Sequence, residues 1–222
     1  MNSDKENNFI ANYYEFLDSI PRTELGLMSQ GTWELDPRRL AIMLSRYKFV
    51  SKMLSGHHST VEIGCGDAFG SRIVLQEVAH LTVVDIEDKF IADIERRQSA
   101  RWPLKTLVHD MLQGPLNSQF DSAYSLDVLE HISPTDEDLF LRNVKASLKE
   151  NGVVIIGMPS LESQRYASKA SKDGHINCKS GDDLKSLCQR HFKNVFLFSM
   201  NDEVVHTGYY PMAHYLLAIC VK

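Results

Sequence analysis

The chain is predicted to form an α/β fold: a Rossmann-like sheet of seven strands with helices on both faces and a helical N-terminal cap. From residue 60 onward short apolar runs alternate with helical patterns, which is typical of a mostly parallel sheet. Residues 153–156 are apolar at every position, as in a central strand buried on both faces. No helical pattern separates the last two apolar runs, which predicts an antiparallel last strand.

Residues 1–56 are predicted to form the cap or lid, and residues 57–222 one compact domain. Amphipathic spacing predicts a helix over residues 9–20, ending before Pro21. Residues 24–34 contain two glycines and are expected to be a loop with apolar packing anchors. Asp36-Pro37 predicts the start of a second helix, because Asp is a favoured N-cap and Pro suits the first helical position.

The predicted strands cover residues 60–63, 81–84, 104–108, 120–126, 153–157, 195–198 and 213–221. Ser133-Pro134 predicts the start of a helix that Gly152 closes. Ser180 with Asp183 predicts a capping box at the start of a later helix.

A glycine-rich loop, residues 62–70 with the sequence E-I-G-C-G-D-A-F-G, follows the first predicted strand. Glycines let a ligand lie against the backbone without interference from a Cβ atom. The spacing G-x-G-x-x-x-G differs from the dinucleotide fingerprint G-x-G-x-x-G. Glu62, two residues before the first glycine, is unfavourable beside a diphosphate but compatible with a ligand that carries a sulfonium and an ammonium group.

Two more acids stand at predicted strand ends. Asp85 ends the second strand, where a carboxylate can accept hydrogen bonds from both hydroxyls of a ribose; the alternative is a helix N-cap. Asp110 follows the third strand, where an acid can accept from an adenine amino group; the alternative is an ordinary loop acid.

These features together resemble the class I S-adenosylmethionine-dependent methyltransferase family, and more narrowly its small-molecule O-methyltransferase-like subgroup. The resemblance covers roughly residues 58–200 and includes residues 120–132, which read F-D-S-A-Y-S-L-D-V-L-E-H-I. Val153 follows Gly152 where a second glycine is common in the family. The resemblance implies S-adenosyl-L-methionine as cofactor and S-adenosyl-L-homocysteine as product.

The resemblance also implies which residues hold the cofactor. The loop glycines would pass close to the methionine part, Asp85 would hold the ribose, Ile86 would pack on adenine, and Asp110 with the Met111 backbone would read adenine. The full set expected at the cofactor is Glu62, Gly64, Cys65, Gly66, Gly70, Asp85, Ile86, Asp110, Met111, Leu126 and Asp127.

The acceptor is expected at the carboxyl ends of the strands, where ligands bind in open α/β sheets. The loops of residues 64–70, 127–134, 158–179 and 200–212 should share that edge. They carry His131, His175 and His206, and a histidine is the usual base for a hydroxyl acceptor. Each could equally be a hydrogen-bonded structural residue. No metal is expected, because Glu130 and His131, as sequence neighbours, should not face one site.

The expected reaction is O-methylation of a small polar acceptor, preferably a sugar or nucleotide-sugar of a surface-glycan pathway, since residues 166–177 resemble bacterial methyltransferases of that kind. A quinone-precursor or other aromatic O-methyltransferase is the alternative, and a non-catalytic cofactor-binding partner protein is the alternative of another class. The residues expected to contact the acceptor are Trp33, Arg38, Arg39, Tyr166 and Tyr209. Surface ion pairs or packing anchors would explain the same residues.

Composition and charge limit the kinds of partner that the chain is expected to bind. A net charge of −5 with interspersed signs gives no electrostatic reason to bind nucleic acid. No apolar run approaches the roughly 20 residues that a membrane span needs. The four cysteines are scattered, as in a reduced cytoplasmic protein, and a cytoplasmic location is therefore expected. The sequence leaves a homodimer open.

Overall fold

The computed structural model describes residues 3–222, with side chains from Asn8 onward. These residues form one sheet of eight strands in the order β3-β2-β1-β4-β5-β8-β6-β7. The strands are β1 (Ser59–Ile63), β2 (His80–Asp85), β3 (Lys105–Val108), β4 (Phe120–Leu126), β5 (Leu148–Pro159), β6 (Asn194–Asn201), β7 (Val204–His206) and β8 (Tyr215–Val221).

Eight α-helices accompany the sheet in the described part of the chain. They are α1 (Ser3–Ser19), α2 (Leu27–Leu35), α3 (Pro37–Met53), α4 (Ser71–Leu75), α5 (Asp88–Arg96), α6 (Glu137–Ala146), α7 (Lys169–Gly174) and α8 (Gly181–Gln189). Within residues 3–222, no helix is both long enough and apolar enough to cross a membrane.

The strand directions confirm a mostly parallel sheet with an antiparallel last strand. β3, β2, β1, β4 and β5 are parallel neighbours, and β8 is antiparallel to both β5 and β6. In β5, Val154 and Ile156 belong to the core on one face, and Ile155 belongs to the core on the other. All three are fully buried, as predicted for a central strand.

The predicted count of seven strands is wrong, because residues 204–206 form an eighth strand. β7 pairs antiparallel with the end of β6 across a two-residue turn at Asp202-Glu203. Asp202 has a positive φ of 48°, the backbone conformation that two-residue hairpin turns require. The segment has only three residues, Val204-Val205-His206, and lies at the sheet edge, so its backbone pairing leaves little hydrophobic pattern in the sequence.

The predicted loop over residues 24–34 is also wrong, because most of it is the helix α2. Gly31 lies inside this helix, where glycine costs about 1 kcal/mol relative to alanine. A distant acid compensates: the Ser29 amide donates to Asp67 Oδ2 at 2.7 Å, so a carboxylate stands at the start of the helix. The expected apolar anchors Met28 and Trp33 are exposed, whereas Ser29 is buried.

Of the other predicted helix boundaries, some agree with the structure and one is wrong. α3 begins at Pro37 as predicted, although the Asp36 carboxylate accepts from Arg38 at 3.0 Å and makes no cap hydrogen bond. The Ser180 hydroxyl accepts from the Asp183 amide at 3.2 Å, which confirms that cap of α8. Gly152 does not close a helix: α6 ends at Ala146, and Gly152 lies within β5.

Candidate functional site

The glycine loop turns sharply after β1. Gly64 and Gly66 have positive φ angles of 74° and 52°, a conformation that favours glycine. A Cβ atom on Gly64 would collide with the Val128 side chain, and one on Gly66 would lie 2.8 Å from Met28 Sδ. On Gly70 it would collide with the Tyr47 ring, so Gly70 serves the packing of α3 against the loop.

Glu62 lies beneath this loop and is buried. Its carboxylate accepts hydrogen bonds from Tyr47 at 2.8 Å, from Tyr124 at 2.7 Å and from Ser71. Burial raises the pKa of this carboxyl to about 7, although the three hydroxyls favour its charged form. Glu62 thereby links α3, α4 and β4 under the loop.

Glu62 should make the protein less stable as the pH rises. The folded protein holds the Glu62 proton up to a pKa of about 7, whereas the ordinary value is 4.5, so folding binds a proton between these values. The Glu62 contribution to the free energy of unfolding should therefore be largest below about pH 4.5 and fall by up to about 3 kcal/mol as the pH rises through 7. Urea denaturation across this range measures the slope.

Glu62→Gln should remove that contribution, because an amide has no proton to exchange in this range. Glu34→Gln changes an exposed glutamate and is the matched control. A Glu62→Gln slope equal to that of the unchanged protein would contradict the assignment.

A cavity of about 160 Å³ opens at the carboxyl ends of β1, β2, β3 and β4. Five residues expected at the cofactor line it: Gly64, Asp85, Ile86, Asp110 and Met111. Six further lining residues were not expected there: Ile63, His109, Leu112, Val128, Ile132 and Phe140. Val128 and Ile132 lie in the family-like segment 120–132, which was the available signal, and Phe140 comes from the buried face of α6.

The Asp85 carboxylate is already oriented by the backbone. Oδ2 accepts from the Gly66 amide at 2.8 Å, and Oδ1 accepts from the Glu87 amide at 3.0 Å. A carboxylate has about four lone-pair positions, so acceptor capacity remains for a ribose. Asp110 accepts from the Leu112 amide at 2.8 Å, a bond that also suits the alternative of a loop acid.

The cavity fits the adenosyl part of S-adenosylmethionine better than the methionyl part. It is about half the volume of the smallest common ligand pockets, roughly 300 Å³. Beyond Gly66, Met28 covers the loop, and Arg46 Nη1 lies 2.6 Å from Asp127 Oδ2. The side chains of Cys65 and Leu126 are buried in the core, so their backbone would provide any contact.

Two of the three candidate bases lie side by side. The rings of His131 and His175 are 5.2 Å apart between centroids, at an angle of 69°. Burial and the neighbouring His131 lower the pKa of His175. His206 is elsewhere: it lies on β7, where its Nδ1 is 2.8 Å from the Ser199 hydroxyl. β7 is four strand positions from β4, or about 19 Å at the usual strand spacing.

Glu130 joins this histidine pair. One ligand atom each from Glu130, His131 and His175 lie within 4.8 Å of one another. The expectation that Glu130 and His131 do not face one site is therefore wrong, because both lie in a single 3-10 turn, Leu129–His131. Burial and the nearby Asp127 raise the pKa of Glu130 to about 9.

The residues expected to contact the acceptor do not line one common cavity among those found in the described residues. Arg38 pairs with Asp36 at 3.0 Å, the surface ion pair given as its alternative. Arg38 and Arg39 line a surface cavity of about 610 Å³, and Tyr209 lines another of about 550 Å³. Trp33 on α2 and Tyr166 after β5 are exposed.

Solved methyltransferases share this fold. N-methyltransferase NodS from Bradyrhizobium japonicum WM9, in complex with S-adenosylhomocysteine, is 18% identical with a TM-score of 0.63, covering 86% of this chain and 91% of NodS. An S-adenosylmethionine-dependent methyltransferase from Clostridium acetobutylicum ATCC 824 is 12% identical with a TM-score of 0.67, covering 88% and 97%. Magnesium protoporphyrin IX methyltransferase from Synechocystis PCC 6803 is 14% identical with a TM-score of 0.59, covering 97% and 94%.

No curated protein matches the chain in sequence. Residues 61–156 match the family model described as a methyltransferase domain. This region runs from β1 through most of β5 and contains the glycine loop, Asp85, Asp110 and the Glu130 turn. Residues 61–156 are therefore a methyltransferase domain, and the chain has the fold of S-adenosylmethionine-dependent methyltransferases.

Proposed function

We propose that this enzyme methylates a hydroxyl of a small polar acceptor, with the acceptor lying over His131 and His175. The observation that carries the proposal is the hydrogen-bonding pattern of the two rings. His131 Nδ1 is 2.8 Å from the Gly174 carbonyl oxygen, which can only accept, so Nδ1 carries the hydrogen. In the neutral His131 ring the lone pair is therefore on Nε2.

His175 has the same arrangement. Its Nδ1 is 3.0 Å from Gln164 Oε1. The Gln164 amide nitrogen donates to the Ser160 carbonyl at 3.2 Å, which identifies Oε1 as the acceptor. Both rings thus hold Nε2 lone pairs that can accept a proton.

When bound, S-adenosylmethionine supplies a methyl carbon activated by a cationic sulfur. The chain's contribution is to position the acceptor and to remove its proton. An Nε2 lone pair would take the hydroxyl proton as the acceptor oxygen bonds to the methyl carbon and the carbon–sulfur bond breaks, leaving S-adenosylhomocysteine. General-base assistance of this kind contributes about 10²–10⁴-fold. The remaining rate comes from orientation and from exclusion of water.

We also propose that residues 1–56 act as a lid on a methyltransferase domain of residues 57–222. Three contacts support this role: Ser29 with Asp67, Met28 over Gly66, and Arg46 with Asp127. All three contacts join helices α2 and α3 to the loops at the carboxyl ends of β1 and β4. Opening of α2 would give a methionyl group access to the Gly66 backbone.

A sugar or nucleotide-sugar is the proposed acceptor class, supported by exposed polar and aromatic side chains in the loop after β5. The test is incubation with methyl-labelled cofactor and a panel of nucleotide-sugars, free sugars, catechols and amines, with products analysed by mass spectrometry and NMR. We expect a methyl ether on a sugar hydroxyl. Products restricted to amines, as the name of NodS describes for that protein, would overturn O-methylation; products restricted to catechols would overturn the sugar class.

A further inference from the structure

Glu130 is a buried carboxyl group without a partner. Its side chain is 0% exposed, and neither carboxylate oxygen accepts a hydrogen bond from any described residue. Leaving a buried polar group unpaired costs about 1–3 kcal/mol, and more for a charged group. The buried Glu130 carboxylate would therefore be stabilised by a bound cation or hydrogen-bond donor that the described residues do not provide.

Arg46 is the cation that attracts Glu130, and its guanidinium is held by other groups. Its Nη1 pairs with Asp127 at 2.6 Å, and its guanidinium lies 3.7 Å above the Tyr215 ring. Arg46 contributes an attractive charge to Glu130 but donates no hydrogen bond to it. The Glu130 oxygens remain free to act as ligands.

The neighbouring imidazoles present matching donors. With both Nδ1 hydrogens given to carbonyl oxygens, the Nε2 lone pairs of His131 and His175 are available. Metal-binding histidines characteristically donate the other ring hydrogen to a carbonyl or carboxylate in this way. The Asn177 amide also donates to the Glu130 carbonyl at 3.0 Å, which holds the His175 loop against the Glu130 turn.

We propose that Glu130, His131 and His175 bind one divalent first-row transition-metal ion. A carboxylate oxygen with two imidazole nitrogens is a donor set that suits ions of the manganese-to-zinc series. One ligand atom from each residue lies within 4.8 Å of the others, so a single ion can contact all three. The ion would provide the positive charge that buried Glu130 lacks.

The consequence for catalysis rests on the proposed hydroxyl acceptor. Three protein ligands leave coordination positions open, as in catalytic zinc sites. A hydroxyl of the acceptor at an open position would have a lowered pKa and lose its proton to solvent buffer. Its oxygen then bonds to the methyl carbon as the carbon–sulfur bond breaks. An Nε2 lone pair cannot hold the ion and accept the proton at once. With the ion bound, the hydroxyl acceptor of the proposed function is kept, the proton goes to buffer, and the loss of turnover expected in His131→Ala or His175→Ala would come from loss of the ion.

Binding is tested without any acceptor. The chelator-treated full chain is titrated with Co²⁺, followed by visible absorption, and with Mn²⁺ and Zn²⁺, followed by calorimetry. We expect one ion per chain, and at least tenfold weaker binding in Glu130→Gln, His131→Ala and His175→Ala. His58→Ala is the control, because His58 and His80 form a similar ring pair, 4.9 Å apart, away from the cluster.

Absence of stoichiometric binding, or equal affinity in Glu130→Gln, would overturn the site and leave Glu130 as a protonated buried acid. Circular dichroism establishes that each variant is folded. With an acceptor in hand, chelation should lower kcat at least tenfold and added metal should restore it. Unchanged turnover of the chelated protein would overturn the ion's part in the reaction, while a methyl ether product would still support the proposed function.

Discussion

Gly64→Val is expected to abolish binding of S-adenosylhomocysteine, with a loss of at least about 100-fold, or roughly 2.7 kcal/mol. Gly64 lines the cavity and has a φ of 74°, so any side chain there is strained. The glycine spacing predicted a bound ligand where the new Cβ would lie. The structure places Val128 there, and Val128 is itself a cavity wall, so the substitution would push this wall into the adenosyl space.

Gly31→Val is the matched control, because nothing lies within 4 Å of a Cβ atom at Gly31. Calorimetric titration measures affinity, and thermal unfolding without ligand separates lost binding from lost folding. Normal affinity in a folded Gly64→Val variant would mean that the loop is purely structural. Gly66→Val should be less severe, since the flexible end of Met28 can move aside.

The sequence predicted that several residues expected at the cofactor lie together, and the reason is topological. Parallel strands bring their carboxyl ends to one edge of the sheet. Residues that follow β1, β2 and β3 were therefore expected together, and Gly64, Asp85 and Asp110 line one cavity. The same reasoning works for His131 and His175, because the strands before them, β4 and β5, are neighbours.

The failures share a different cause: each depends on contacts between residues far apart in the chain. α2 has no side-chain cap from its own segment, and the Asp67 carboxylate, distant in sequence, takes that place. Without this contact, Gly31 and its neighbours in the sequence favour a loop. β7 is defined by backbone pairing with β6, and three residues are too few for a clear alternation pattern. Sequence periodicity records which side chains are buried along one element, and neither feature depends on that.

The cluster of Glu130, His131 and His175 was not predicted, because the directions of the Glu130 and His131 side chains depend on the local backbone conformation, which the sequence did not show. In an extended chain, adjacent side chains point to opposite faces. The 3-10 turn at Leu129–His131 curls the chain, and the Asn177 contact then brings His175 to the same place. The buried state of Glu130 follows from this packing and left no signal in composition or charge.

His131→Ala and His175→Ala are each expected to lower the single-turnover rate of methylation by about 10²–10⁴-fold once an acceptor is known. Cofactor affinity should be unchanged, because neither histidine lines the adenosyl cavity. The expected pattern is therefore a fall in kcat without weaker S-adenosylhomocysteine binding. The rings are neighbours 5.2 Å apart, so the double variant should lose less than the product of the single losses.

His206→Ala discriminates between the candidate bases. β7 lies about four strand spacings, roughly 19 Å, from β4, so a base at His206 could not reach an acceptor over the histidine pair. We expect His206→Ala to retain turnover within about tenfold, the lower margin of a base effect. If His131→Ala, His175→Ala and the double variant all lose less than tenfold while His206→Ala loses more, the acceptor lies near β7. Catalysis would then use a different edge of the sheet from the one proposed.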